Sequence, residues 1–153
     1  MPTEAAIIEG IRTAANAEAR KLGALDAFAE APAIRVVAQE SANWKVDEAY
    51  NVASLILGKH PAVRLIYCAN DMMALGAIRL LQDQRRTDVR VGGFDALPEA
   101  MPALRAGQLY VTVDQRAGEQ GRRGVEMAIE MLNGGDARPE VIIDTVVLTS
   151  PKT

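Results

Sequence analysis

The sequence predicts an α/β fold, an open doubly wound parallel sheet with helices on both faces, on three observations. Short apolar runs alternate along the whole chain with longer stretches of helical periodicity, the order expected of βαβ units. The strand candidates are almost wholly apolar, as strands are when helices cover both faces of their sheet. The length, 153 residues with 49% apolar and 24% charged side chains, suits one compact domain with one core.

The elements run in order along the chain. Residues 5–9 (AAIIE) read as a short buried strand, and 16–30 as a helix rich in Ala and Leu. Residues 34–39 (IRVVAQ) give the second strand and 46–57 the second helix, with Gly58 placed to stop it. Strand 64–69 (RLIYCA) leads into helix 71–84. Strand 89–93 (VRVGG) precedes a short helix interrupted near Pro98 and Pro102. Strand 109–113 (LYVTV) is followed by helix 116–132, which ends at Asn133-Gly134-Gly135, and 141–148 (VIIDTVVL) is the last strand. No repeat, linker or low-complexity tract breaks the pattern.

Composition excludes several classes. The net charge of −3 and the want of a basic patch argue against nucleic acid as a partner; Arg85, Arg86 and Arg90 read as a solvated turn between helix and strand. No apolar run reaches the roughly 20 residues that span a bilayer, so membrane insertion is not expected. The start, Met1-Pro2-Thr3-Glu4, lacks the basic and apolar regions of a signal peptide, so as written the chain reads as cytoplasmic. One cysteine, Cys68, permits no internal disulfide and leaves the redox compartment open.

Ligands of open α/β sheets bind beyond the carboxyl ends of the strands. Glu9 and Gly10 come after the first strand, with Asn16 and Arg20 in the first turns of the next helix. Ser41-Ala42-Asn43-Trp44, holding the single tryptophan, comes after the second strand. Asn70-Asp71, Asp95 and Asp114-Gln115 come after the next three. Taken singly, each has a bland role: Asn70 or Asp71 as a helix N-cap, Asp95 as cap of the short helix, Gln115 as cap of the last helix. Trp44 could be a half-buried anchor, and Arg20 could pair with Glu18 or Glu30. Their convergence on one rim favours a binding site.

The chemistry suits a sugar. A carboxylate such as Asp95 accepts from adjacent hydroxyls, and the Arg20 guanidinium donates in a fork to two acceptors. Asn70 and Gln115 can donate and accept at once, and Trp44 offers a flat apolar surface to a C–H face.

The segment CANDMMALGAIRLLQ (68–82) with VGGFD (91–95) resembles the ribose-binding branch of the type I periplasmic binding proteins, the substrate-binding components of sugar ABC transporters. The likeness extends to IIEG…NAEAR (7–20), ESANW (40–44), RAGQLYVTVDQ (105–115) and the closing strand, but it covers only the C-terminal lobe of such a protein. It implies that Arg20, Asn70 and Asp95 hydrogen-bond a monosaccharide, that Trp44 packs against its face, and that Gln115 belongs to the binding site at the edge of the cleft near a hinge. Asp71 is left as a helix cap.

The resemblance also implies partners: the N-terminal lobe, absent here, and, for the full-length protein in the periplasm, the transporter permease. Residues 1–153 would then form a single C-terminal lobe, whose helix 116–133 packs on the N-terminal lobe in full-length relatives. Its apolar stripe, Val125, Ala128, Ile129 and Leu132, then predicts that it folds back on its own sheet or swaps into a second copy, giving a homodimer. One lobe alone should bind sugar weakly or undetectably.

The alternative is the effector lobe of a lactose-repressor-type regulator, which shares the NDxMALGA and GFD signature. An enzyme is not expected, nor a cofactor or metal. There is no GxSxG, no phosphate loop ending in GK[ST], no HExxH and no CxxC. Cys68 inside a strand and His60 in the turn before it read as a core thiol and a loop imidazole. Gly92-Gly93 marks close helix–sheet packing.

Overall fold

A computed structural model describes residues 2–136, 138 and 140–151. Six strands form one sheet in the order β2-β1-β3-β4-β5-β6. They are β1 (Thr3–Glu9), β2 (Ile34–Ser41), β3 (Val63–Cys68), β4 (Arg90–Gly92), β5 (Val111–Asp114) and β6 (Val146–Thr149). The helices are α1 (Ala15–Ala29), α2 (Val46–Lys59), α3 (Asp71–Asp83), α4 (Met101–Arg105), entered through a 3-10 turn at Pro98–Ala100, and α5 (Ala117–Leu132). Each predicted strand and helix is present with ends moved by one or two residues, except the last strand, which begins at Val146 and not at 141. Gly58 does not stop α2, which runs on to Lys59 and closes with His60 N–H donating to Ile56 O.

The sheet departs from the all-parallel expectation at one edge. Strands β1 to β5 are parallel, whereas β6 runs antiparallel to β5, with Asp114 opposite Val146. The cause is the path of α5. It leaves the carboxyl end of β5, lies off the sheet with no buried residue, and the chain returns to that same end. A strand entered from there must run against its neighbour.

Right-handed crossovers set the layers. The step from β1 out to β2 puts α1 on one face, and the steps back through β3, β4 and β5 put α2, α3 and α4 on the other. Alternate residues of β3 then serve different faces. Ile66 and Cys68 enter the main core with Val91, Met73, Ala74 and Ala49. Helices α2 and α3 approach so closely that a Cβ on Gly76 would stand 2.2 Å from Val46 O, so glycine is required there. The Cys68 thiol is buried, and burial pushes its pKa up, which keeps it protonated and inert. The arginine turn is only partly solvated: Arg86 pairs with Asp88 and also donates to Pro61 O and Val63 O, so its side chain is 23% exposed.

The other face is only partly covered. Leu65, Tyr67, Gly92, Phe94, Val111 and Val113 line an open apolar groove beside α1. Helix α5 exposes Val125 (62%), Ile129 (52%) and Leu132 (86%), the stripe read from sequence. Among the described residues no helix is long and apolar enough to cross a membrane.

Candidate functional site

The carboxyl ends of the parallel strands bring all five predicted side chains to one depression. Arg20, Trp44, Asn70, Asp95 and Gln115 line it, together with Asn16, Leu97 and Ala117. The five side chains come from five separate connections after β1 to β5, so the sheet order gathers residues far apart in sequence.

Arg20 is the centre of the arrangement. Its Nη1 donates to Ala69 O at 2.8 Å and its Nη2 to Asp95 Oδ1 at 2.9 Å. Its guanidinium carbon stands 3.9 Å from the Phe94 ring centroid and 5.5 Å from that of Trp44. A planar cation is held on its faces by aromatic rings and at its edge by two acceptors, which fixes its plane and direction. The pairing with Glu18 or Glu30 offered by the sequence does not form: the guanidinium is taken by Ala69 O and Asp95, and Glu18 pairs with Lys21.

Asp95 is held as firmly. Its Oδ1 accepts from Arg20 and from Gln115 Nε2, both at 2.9 Å. Among the described residues no side-chain N or O is both buried and unpartnered, so Oδ2, which no protein donor meets, is not fully buried. Burial raises the pKa of Asp95 even though the charge and hydrogen bond of Arg20 oppose it. The backbone is left-handed at Asp95 (φ 105°) and Ala96 (φ 51°). Asp95 is thus not the cap of the short helix, nor does Gln115 cap α5, whose N-cap is Arg116. Both side chains face each other instead.

Asn70 does two things. It is the N-cap of α3, its Oδ1 accepting from Met73 N at 2.9 Å. The residue lines the depression and is 7% exposed, and its Nδ2, which meets no protein partner, is not fully buried by the same reasoning. This corrects the assignment of Asp71 as a helix cap. Asp71 is fully buried, and its carboxylate reaches away from α3 to Leu97 N (2.9 Å) and Thr112 Oγ1 (2.8 Å). No local pattern marks this role, since the partners lie 26 and 41 positions on.

Trp44 sits on Gly10. A Cβ on Gly10 would lie 2.2 Å from the indole, so only glycine leaves room for the ring. Asn43 and Trp44 are both left-handed, with φ 51° and 66°. Ser41 Oγ ties the turn back by donating to Gly10 O at 2.6 Å. Unusual backbone at Trp44 and at Asp95, two of the rim side chains, is the kind of strain that functional sites retain.

The rim therefore presents fixed donors, acceptors and an aromatic face, with no nucleophile–base pair. Among the described residues no group of three His, Cys, Asp or Glu side chains is placed to hold a metal.

The family profile described as periplasmic binding protein domain matches residues 2–136. The D-allose-binding periplasmic protein of Escherichia coli (strain K12) is 37% identical over 153 residues, covering 95% of this chain and 49% of that protein. The D-ribose/D-allose-binding protein of Pseudomonas aeruginosa is 36% identical, over 95% of this chain and 45% of that protein. A solved ABC transporter periplasmic solute binding protein from Actinobacillus succinogenes 130z, with bound D-allose, superposes with a TM-score of 0.93 at 37% identity. The match covers 97% of this chain and 52% of that one. The chain spans about half the length of the curated relatives it matches. They are named as binding proteins, in agreement with a binder rather than an enzyme.

Proposed function

Because the chain belongs to the periplasmic binding protein domain family, we propose that it is one sugar-recognising lobe of a solute-binding protein that serves a sugar ABC transporter. The observation that carries this is the ordered rim. Arg20, Asp95 and Gln115 hold one another in place, while Asp95 Oδ2 and Asn70 Nδ2 are left without a protein partner. A pentose or hexose offers hydroxyls that donate to the carboxylate and accept from the amide, and a C–H face for Trp44. Each charge-assisted contact contributes about 1.5–3 kcal/mol.

Recognition of this type closes two lobes about a hinge and makes or breaks no bond. This chain supplies one lobe. The other, from the part of the relatives that it does not span, would provide the remaining contacts and exclude water, and the permease would read the closed pair. The isolated chain should accordingly bind D-allose, D-ribose or D-galactose weakly or undetectably. Micromolar affinity by calorimetry would refute that. The relatives named above are binding proteins, which supports this reading over the effector lobe of a regulator.

The exposed stripe of α5 supports a further partner. Leaving Val125, Ile129 and Leu132 in water is costly, at about 1.5–3 kcal/mol for each such side chain fully buried elsewhere. In the complete protein α5 packs on the second lobe; without it, α5 pairs with a second copy of the chain. A monomer by sedimentation, with α5 highly sensitive to protease, would sink the homodimer.

A further inference from the structure

We infer that Asp71 and Thr112 are positioning residues for ligand binding, a buried latch that fixes the loop carrying Asp95. The role rests on the sugar-binding reading above, and the geometry behind it is independent of any ligand. Between β4 and the 3-10 turn the chain passes through two consecutive left-handed residues, Asp95 and Ala96. Neither is glycine, so the conformation persists only where its surroundings enforce it.

Three successive backbone N–H groups of this loop are each tied to a different anchor. Asp95 N–H donates to Val113 O at 2.9 Å. Ala96 N–H donates to Thr112 Oγ1 at 3.2 Å, and Leu97 N–H to Asp71 Oδ2 at 2.9 Å. The two side-chain anchors are themselves joined, Thr112 Oγ1 donating to Asp71 Oδ1 at 2.8 Å. Asp71 N–H donates to Phe94 O at 2.8 Å, closing the unit from the other side. Asp71 and Thr112 are both 0% exposed.

The sequence around the latch is shaped to it. A Cβ on Gly93 would stand 2.2 Å from Asp71 Oδ1, so the second glycine of VGGFD makes room for the carboxylate. A buried carboxylate is costly, and it is tolerated here because donors meet both oxygens. The rim residues are downstream. Once the loop is fixed, Asp95 Oδ1 meets Arg20 and Gln115, and Oδ2 is left without a protein donor at the rim. Asp71 and Thr112 touch no ligand, and they act through Asp95.

The test uses the full chain and three readouts by NMR: amide hydrogen exchange, the Arg20 guanidinium signal, and shifts on titration with D-allose. Thr112→Val keeps the shape and removes the hydroxyl, while Thr112→Ser restores it. In the wild type the Ala96 and Leu97 amides should be protected. In Thr112→Val they should exchange roughly ten- to a hundredfold faster, as for the loss of one hydrogen bond to a charged or buried partner. The Arg20 signal should broaden, and Ile7 and Ile66 should keep their protection. Thr112→Ser should behave as wild type.

Exchange at Ala96 and Leu97 in the wild type as fast as in the exposed turn at Gly134 would overturn the latch without any variant. So would wild-type behaviour of Thr112→Val, uniform acceleration that includes Ile7 and Ile66, or failure of Thr112→Ser to rescue. Shifts at Asn70 and Asp95 with D-allose that vanish in Thr112→Val extend the latch to binding. If the wild type shows no such shifts with D-allose, D-ribose or D-galactose, that is the weak binding expected of one lobe, and the exchange results alone decide the latch.

Discussion

Replacing Arg20 with methionine tests whether the rim is built around this one cation. Met keeps much of the aliphatic stem and removes the guanidinium, so Ala69 O loses a donor and Asp95 keeps only Gln115. The side chains of Arg20 and Asp95 are 11% and 18% exposed, so the pair is neither a surface ion pair nor fully buried. A surface pair contributes about 0–1 kcal/mol and a broken buried pair costs about 3–5 kcal/mol. At this depth, with solvent reaching Asp95 Oδ2, Arg20→Met should cost about 2 kcal/mol. In a domain of this size that corresponds to a melting temperature lower by roughly 4–8 °C. Urea denaturation of Arg20→Met, Asp95→Asn and the double variant gives the coupling directly, expected at about 1–2 kcal/mol. The Asp95 carboxyl should also titrate higher in Arg20→Met, because Arg20 opposes the rise that burial causes. Coupling below about 0.3 kcal/mol, the error of additivity, would show that the pair is incidental and that the rim is not preorganised by it.

Gly10→Ala should displace Trp44, since the added carbon would stand 2.2 Å from the ring. The fluorescence of the single tryptophan should shift to the red, at a cost of about 1–3 kcal/mol for the overpacking; unchanged emission would refute the contact. Burial pushes the Asp71 and Asp95 carboxyls above the ordinary aspartate range. The native state therefore holds both protons to higher pH than the unfolded chain, and the stability they contribute is full at low pH and lost as pH rises through the raised values. On the proposed sugar-binding role, which would use ionised Asp95, any binding should appear across that same window; carboxyl titration by NMR at or below the ordinary range would refute the raised values. The paired change Val125→Glu with Ile129→Glu should alter the stability of the monomeric core by less than about 0.5 kcal/mol, because both side chains are exposed in this fold. It should abolish any dimer seen by sedimentation.

Local pattern made most of the architecture legible. Each strand candidate was an apolar run bounded by turn residues, and each helix had a clear period. The rim was legible because a parallel sheet places every strand's carboxyl end on one side. The polar and aromatic residues just beyond those ends, Arg20, Trp44, Asn70, Asp95 and Gln115, were therefore neighbours in space before any coordinates were known. Asn16, which also lines the depression, was visible as a polar residue in the first turns of α1. The reversed direction of β6 was not legible, because it depends on where α5 lies, and the periodicity of a helix says nothing of its partner. Nor was it legible that Gly58 lies within α2: glycine permits a stop but does not impose one when the backbone bonds can continue.

Period and spacing over a few neighbouring positions were enough for the alternating fold and for the rim positions, and the resemblance of segments such as CANDMMALGAIRLLQ and VGGFD carried the family likeness. What those residues do to one another came from packing in three dimensions. Arg20 and Asp95 lie 75 positions apart, and Asp71 and Thr112 lie 41. Whether a carboxylate caps its own helix or holds a distant loop is a matter of direction in space. Asp71 and Asp95 look alike in the sequence, yet burial and left-handed backbone turn one inward to hold the loop and the other outward to the rim.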